Sequence, residues 1–415
     1  MFEGILAGAF AYAARSVSGK IMLLEGSDGT YDSREAWPKA LPLYAHIPFC
    51  RSLCPFCSFN RYSFLEARAK SYYAQISREL ELYAEKGYSF SALHVGGGTP
   101  TVMVDELALF IDKARSLFNI RYIDVESTPN EISDESVNTL RSAGVRRLSV
   151  GVQSFDDSLL KELGRYGYSP AEALERLSIA CGRFNTVGID LLFNLPSQSR
   201  ASFMNDILIF KDSGIEQVTF YPLMPGPHKN TLMERKMRDY SLARSRPRES
   251  AFYNLILKLL LNNGYTASSA WCFNKHRESS DEYIINDAEY IGIGSGSISL
   301  LSDAVYVNTF SLEKYSQLVS VSRLPIVRFM KLKKRDYLMY RLLMSLFGMH
   351  ISSEALEEYG PVAKELATLR LLGIIRHGDN GFEVTRHGMY YVNVLMSEFF
   401  SSLNALRERF IEKQV

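Results

Sequence analysis

The chain has 415 residues, with 47 Lys+Arg against 46 Asp+Glu and a net charge of +1. That balance offers no cationic footprint for nucleic acid or for an acidic membrane surface. Hydrophobic residues make up 47% and charged residues 22%, a globular composition rather than a disordered one. At roughly 100–200 residues per domain the length allows two or three domains. A membrane span needs about 18 or more consecutive apolar residues, and no stretch reaches that. The apolar start after Met1-Phe2-Glu3 lacks the positive leader of a signal peptide, so a cytoplasmic protein is expected.

Residues 1–40 show no clear period and read as an N-terminal extension. From Leu41 short apolar or β-branched runs alternate with amphipathic stretches. Strands are expected at Pro42–Ile47, Ala92–Val95, Tyr122–Ser127, Arg147–Gly151, Thr186–Phe193 and Gln217–Pro222. Helices are expected at Leu65–Lys86, Asp105–Phe118, Ser133–Ala143, Pro170–Cys181 and Ala201–Asp212. Six β–α units in a row imply an α/β fold with a parallel sheet and helical crossovers. Six units suit an incomplete (β/α)6 barrel better than a closed one of eight, and place the chemistry on loops after the strand C-termini. The barrel is expected over residues 41–245. A barrel-associated extension with the Gly-spaced run Ile291–Ser297 follows over 246–330. A mostly helical C-terminal domain over 331–415 carries Glu354–Tyr359, Val362–Leu372, a turn at His377–Gly381 and a strand at Phe382–Thr385, a winged-helix-like pattern.

There are five cysteines, an odd number in a long chain, which argues against a disulfide framework. Three of them, Cys50, Cys54 and Cys57, form C-x3-C-x2-C directly after the first barrel strand. Three thiolates on one tight loop can hold an iron–sulfur cluster while leaving one iron open. Structural zinc wants four ligands, commonly in two pairs, and no second pair exists. His46 is a conceivable fourth ligand but sits within a strand. Five of the seven histidines, His228, His276, His350, His377 and His387, have no metal-like spacing. At the next strand end, Gly96-Gly97-Gly98-Thr99-Pro100-Thr101 lets backbone approach a ligand, or is a plain Gly-rich turn. Glu126 closes the third strand, and Asp190 lies in an apolar strand where a carboxylate is costly unless paired or ligating.

The cysteine motif with Phe56 before its third cysteine, and the lead-in Tyr44-Ala45-His46-Ile47-Pro48-Phe49-Cys50, resemble radical S-adenosylmethionine (SAM) enzymes of the oxygen-independent coproporphyrinogen III oxidase-like branch. The resemblance runs from about Leu43 through the C-terminal domain. It implies a [4Fe–4S] cluster on Cys50, Cys54 and Cys57, whose open iron takes the amino and carboxylate groups of SAM. One-electron reduction then cleaves SAM to methionine and a 5′-deoxyadenosyl radical. It assigns Tyr44, Phe56, Gly97, Gly98, Thr99, Glu126, Gln153, Arg165 and Asp190 to cofactor binding. Several members hold two SAM molecules. For Arg165 a surface ion pair is an equal alternative. Thr219–Met224 would pack on the adenine or fill the barrel core. The run Gly292-x-Gly294-x-Gly296 lacks the following helix of a dinucleotide site, and in this branch such a segment approaches the substrate pocket.

The chain departs from the branch in two places. Authentic oxidases carry a fourth cysteine two residues past the third, where this chain has Phe59. Related haem chaperones carry His-Asn-x-x-Tyr-Trp before the Gly-rich run, where this chain reads Ser279-Ser280-Asp281-Glu282-Tyr283-Ile284. What remains is the methyltransferase subgroup, which spends a second SAM as methyl source on an sp2 carbon. The expected substrate is a flat aromatic, quinone or tetrapyrrole. Coproporphyrinogen III decarboxylation and haem trafficking are the alternatives. A low-potential donor such as flavodoxin or ferredoxin is implied, and no nucleic-acid partner.

Overall fold

The computed structural model describes residues 2–21, 25–26, 37–224, 246–275 and 289–411. Helix α1 (Phe2–Ile21) precedes six parallel strands lying side by side in chain order. They are β1 (Leu41–Ile47), β2 (Phe90–Gly97), β3 (Tyr122–Ser127), β4 (Arg147–Gln153), β5 (Thr186–Phe193) and β6 (Gln217–Pro222). The crossovers are α2 (Glu66–Glu85), α3 (Val104–Leu117), α4 (Asp134–Ser142), the pair α5 (Asp157–Glu162) and α6 (Pro170–Ala180), and α7 (Arg200–Asp212). Local chemistry fixes their ends. Ser133 with Ser136, and Ser169 with Glu172, form capping boxes at the starts of α4 and α6. Gly144 turns through φ +87° just past α4.

The sheet grows at both edges. After α8 (Arg246–Leu260) the strands β7 (Thr266–Ala267) and β8 (Cys272–Asn274) add beyond β6, with β8 antiparallel to it. Strand β9 (Ile291–Ile293) adds parallel to β1. The resulting order is β7-β8-β6-β5-β4-β3-β2-β1-β9, and among the described residues no hydrogen bonds join its two ends. This is the incomplete parallel barrel that the β–α alternation implied.

Beyond β9 come β10 (Ile298–Leu301), β11 (Ala304–Asn308), α9 (Leu312–Ser320) and β12 (Ile326–Lys331), whose three strands form an antiparallel meander. The Gly-spaced run thus begins in β9 and ends in a turn before β10, with Gly294 at φ +93° and Gly296 at φ +78°. The chain closes with α10 (Lys334–Phe347), β13 (His350–Ser352), α11 (Ser353–Glu358), α12 (Ala363–Leu371), β14 (Ile375–Gly378), β15 (Gly381–Val384) and α13 (Arg386–Ile411). Its three strands pair in the order β13-β15-β14, giving the expected wing on helices.

Helix α1 stands where the sequence showed no period. Its inward face is Ala7, Ala11 and Ala14, all buried, a helical spacing that alanines mark only faintly. It packs along α13, with Phe10 against Tyr391 (centroids 5.3 Å apart). Arg15 meets the buried Glu398 at 2.9 Å, and Arg246 of α8 meets the same carboxylate at 2.5 Å. From α8, Glu249 accepts from Asn393 (3.0 Å), and Asn393 accepts from Trp271 Nε1 (2.8 Å). A polar chain therefore ties α1, α13 and α8 to one indole. Among the described residues no helix is long and apolar enough to cross a membrane.

Candidate active site

The strand C-termini open onto one cavity of about 360 Å3, in the range of small-molecule sites. Cys50, Cys54 and Cys57 all line it, on the loop after β1. That loop is braced from inside. Arg61 Nη2 donates to the carbonyls of Cys54 (2.7 Å) and Cys57 (3.3 Å), and Cys57 N–H donates to the Cys54 carbonyl (3.2 Å). Thr99 Oγ1 approaches Cys50 Sγ at 3.7 Å. Burial pushes the Cys50 thiol up to about 11 and raises Cys54 as well. A metal centre that binds such thiols displaces their protons.

Among the described residues no three His, Cys, Asp or Glu groups converge on a single ion. Three sulfurs spread around one cavity suit a cluster, in which each thiolate takes its own iron. His46 does not join them. Its ring nitrogens meet Tyr44 OH (3.0 Å) and the Asn60 carbonyl (2.7 Å), and burial drops its pKa to about 4. Cys181 and Cys272 lie elsewhere, and none of the five cysteines forms a disulfide among the described residues.

Every residue assigned to the cofactor lines this same cavity: Tyr44, Phe56, Gly97, Gly98, Thr99, Glu126, Gln153, Arg165 and Asp190. The glycines serve a purpose that the motif alone does not reveal. A Cβ on Gly96 would meet the Glu126 carboxylate at 2.6 Å, one on Gly97 the His46 ring at 2.4 Å, and one on Gly98 the Phe49 backbone at 2.7 Å. Protein fills the space that the three missing side chains leave, so the run serves close packing as well as any approach to a ligand. Gly97 N–H donates to Glu126 Oε2 at 3.1 Å. Glu126 is an exposed residue that lines the cavity, and desolvation of its carboxylate, with Asp190 and Asp124 nearby, pushes its pKa up to about 7.

Asp190 accepts from Ser149 Oγ (3.1 Å), and burial raises its pKa. Arg165 forms no ion pair among the described residues. Its guanidinium lies 5.8 Å from the Phe56 ring centroid, Nη1 reaches Thr128 Oγ1 at 3.3 Å, and Nε is buried without a partner. An unpaired guanidinium facing a cavity is suited to a carboxylate or to electron-rich sulfur. Gln153 stands at φ +77°, rare for a residue with a side chain, and its amide folds back over Gly151, where a Cβ would meet Nε2 at 2.9 Å.

Beneath these residues runs a polar layer that sequence reasoning missed. Tyr44, His94, Asp124 and Arg147 are direct partners across β1, β2, β3 and β4. His94 Nδ1 lies 2.5 Å from Asp124 Oδ1, Arg147 Nη1 lies 3.5 Å from Asp124 Oδ2, and Arg147 Nε donates to Gln217 at 2.7 Å. Register, not spacing, assembles this layer. The available signal was the same as for Asp190: a charged residue within an apolar strand.

The opposite wall comes from the C-terminal part. Trp271, Tyr290, Tyr340, Phe399, Phe400 and Leu403 line it. Arg407 stands 5.0 Å from the centroid of Phe59, the residue in the fourth-cysteine position. Tyr221, Pro222, Leu223 and Met224 line the cavity at the end of β6, with Tyr221 edge-on to Trp271 (5.5 Å). Thr219 and Phe220 are buried in the barrel instead. Of the Gly-spaced run, Gly296 and Ser297 reach the cavity. Gly294 is bound away from it, donating to the buried Glu79 at 2.8 Å. His350, His377 and His387 make structural contacts with Asn380, Phe382 and Tyr391. His228, His276 and the stretch Ser279–Ile284 lie outside the described residues.

Residues 44–208 match the radical SAM superfamily. The chain carries a radical SAM domain. The match begins at Tyr44 and ends within α7, so it spans the cysteine loop and every strand end assigned to the cofactor. The superfamily's cofactors are a [4Fe–4S] cluster and SAM, and the thiol loop, the unpaired guanidinium and the cavity-facing carboxylates fit them. Among curated relatives, anaerobilin synthase of Escherichia coli O157:H7 is 26% identical over 90% of this chain and 87% of its own. The oxygen-independent coproporphyrinogen III oxidase of Helicobacter pylori strain J99 is 27% identical over 90% and 88%. The heme chaperone HemW of Lactococcus lactis is 28% identical over 66% and 73%. The fold of the chain is also that of Escherichia coli coproporphyrinogen III oxidase, with a TM-score of 0.73 at 24% identity over 88% of this chain and 91% of that one.

Proposed function

We propose that this enzyme methylates an sp2 carbon of a flat conjugated substrate, taking one SAM for radical generation and a second as methyl donor. The observation that supports this reading is the pairing of cavity-lining polar groups with an altered fourth-cysteine position. Gln153, Arg165 and Asp190 all line the cavity, while Phe59 stands two residues past Cys57 under Arg407. The opposite wall of Trp271, Tyr290, Tyr340 and Phe399 offers stacking surface for a planar ring system. A tetrapyrrole is the favoured substrate class, because two relatives matching nine-tenths of this chain are named for tetrapyrrole chemistry.

Each residue has a task in this reading. Cys50, Cys54 and Cys57 would hold the cluster, which supplies an electron to SAM for homolytic cleavage. Gly97 and Thr99 would present backbone to the methionine end, and Glu126 would accept from ribose hydroxyls. Arg165 and Asp190 would meet complementary charges on SAM. The aromatic wall keeps water from the reacting centre. A cytoplasmic site and a flavodoxin- or ferredoxin-type donor belong to the same reading.

The test is product analysis after anaerobic reconstitution. S-adenosylhomocysteine and a methylated product support methyl transfer. Carbon dioxide and a vinyl group formed from coproporphyrinogen III would replace it with oxidative decarboxylation, the reaction suggested by the Helicobacter relative's name. Haem titration addresses the chaperone relative, and a Soret shift without turnover would favour trafficking.

A further inference from the structure

The chain that carries Gln153 is gripped from behind by α7. Asp206 on that helix is fully buried. Its carboxylate accepts from Phe155 N–H at 2.6 Å and from Ser154 Oγ at 2.9 and 3.2 Å. Ser154 Oγ in turn accepts from Asp156 N–H at 3.0 Å. One turn earlier on the same face of α7, Ser202 Oγ donates to Asp156 Oδ2 at 2.7 Å. So two side chains of one helix hold residues 154–156. No cation pairs with Asp206 among the described residues, and burial pushes its pKa up to about 7. A desolvated carboxylate without a counter-charge is expensive.

Strain explains why such a group is placed there. The ladder between β4 and β5 slips between Gly151 and Gln153, and Gln153 sits at φ +77°. A side-chain-bearing residue in that region persists only where its surroundings over-determine it. The constraint comes from the residues immediately following, and those are the ones bound to Asp206.

We propose that Asp206 is a positioning residue for SAM: it clamps Ser154 and Phe155 so that Gln153 keeps its left-handed backbone and presents its amide over Gly151 into the cavity. This rests on the reading that Gln153 binds SAM. Asp206 itself lies outside the cavity lining and acts only through the clamped turn.

The experiment is a double-mutant cycle on cluster-reconstituted protein, read as SAM dissociation constant by anaerobic equilibrium dialysis with labelled SAM. Iron content and unfolding midpoint are measured for each variant. Asp206→Ala is expected to weaken SAM binding about tenfold with the cluster retained, and Asp206→Asn to recover most of that loss. In the Gln153→Ala background Asp206→Ala should add nothing, since both changes remove one interaction. If Asp206→Ala does not fold, Asp206→Asn carries the cycle with a smaller expected loss. Additive losses, or unchanged affinity in both Asp206 variants while Gln153→Ala is weakened, overturn the positioning role alone. Full SAM affinity in Gln153→Ala overturns the cofactor reading of Gln153 and this inference with it.

Discussion

Gly97→Ala is a severe perturbation whose size follows from three separate features. The backbone there is at φ +112°, which costs an L-residue roughly 1–3 kcal/mol. The added methyl would lie 2.4 Å from His46 Cε1 and Nδ1. That ring cannot swing aside freely, because it is buried and held by Tyr44 OH at 3.0 Å and the Asn60 carbonyl at 2.7 Å. Displacing it costs about 1 kcal/mol for each hydrogen bond lost, in addition to overpacking of roughly 1–3 kcal/mol. Because ring movement relieves part of the overlap, the expected destabilisation is about 3–5 kcal/mol rather than the full total. Urea unfolding of the apoprotein measures it. Gly182→Ala is the control: φ is +71° but nothing lies within 4 Å of its Cβ position, so only backbone strain of about 1 kcal/mol should appear. If the two variants lose the same stability, the packing explanation of the Gly96–Gly98 run is wrong.

Other consequences are equally checkable. Glu79 is buried with a pKa pushed up to about 7 by desolvation, against an ordinary 4.5. A carboxyl whose folded pKa is raised stabilises fully below its unfolded pKa and loses that contribution as pH rises toward the folded one. Wild-type unfolding free energy should therefore fall by up to roughly 3 kcal/mol between about pH 4.5 and 7 from this group, and Glu79→Gln should flatten the slope. An unaltered slope in the variant assigns the pH dependence elsewhere. Glu398→Ala leaves Arg15 and Arg246 without their shared carboxylate, and because Arg15 is half exposed and Arg246 keeps Glu249 at 2.9 Å the expected loss is about 1–3 kcal/mol. Proteolysis of α1 should then accelerate, and wild-type resistance would contradict the role of the polar chain. Cys54→Ala should lose iron and sulfide binding together with SAM cleavage, and a variant that cleaves SAM at the native rate refutes the cluster assignment.

The barrel was legible because parallel strands covered on both faces read as continuous apolar runs. Tyr122–Ser127, Thr186–Phe193 and Gln217–Pro222 have the same ends in sequence and structure. The cysteine loop was legible because its spacing is local. The layer of His94, Asp124 and Arg147 was not, since three strands contribute one residue each and only their register unites them. Asp206 was hidden for a similar reason: on α7 it looks like a solvent-facing acid, and only the packing of α7 against the turn after β4 shows its partners. Helix α1 escaped because its buried stripe is alanine, which barely raises a hydrophobic pattern. The glycines at 96–98 were visible, but what fills their missing side chains comes from β1 and β3 and could not be read from the run itself.

The central claim is tested most directly by anaerobic reconstitution with iron and sulfide, followed by dithionite, SAM and either coproporphyrinogen III or haem, with mass spectrometry of the products. 5′-Deoxyadenosine and S-adenosylhomocysteine are expected together. 5′-Deoxyadenosine without S-adenosylhomocysteine would keep the radical chemistry and remove methyl transfer. An intact cluster that yields neither product with either added compound would contradict the account.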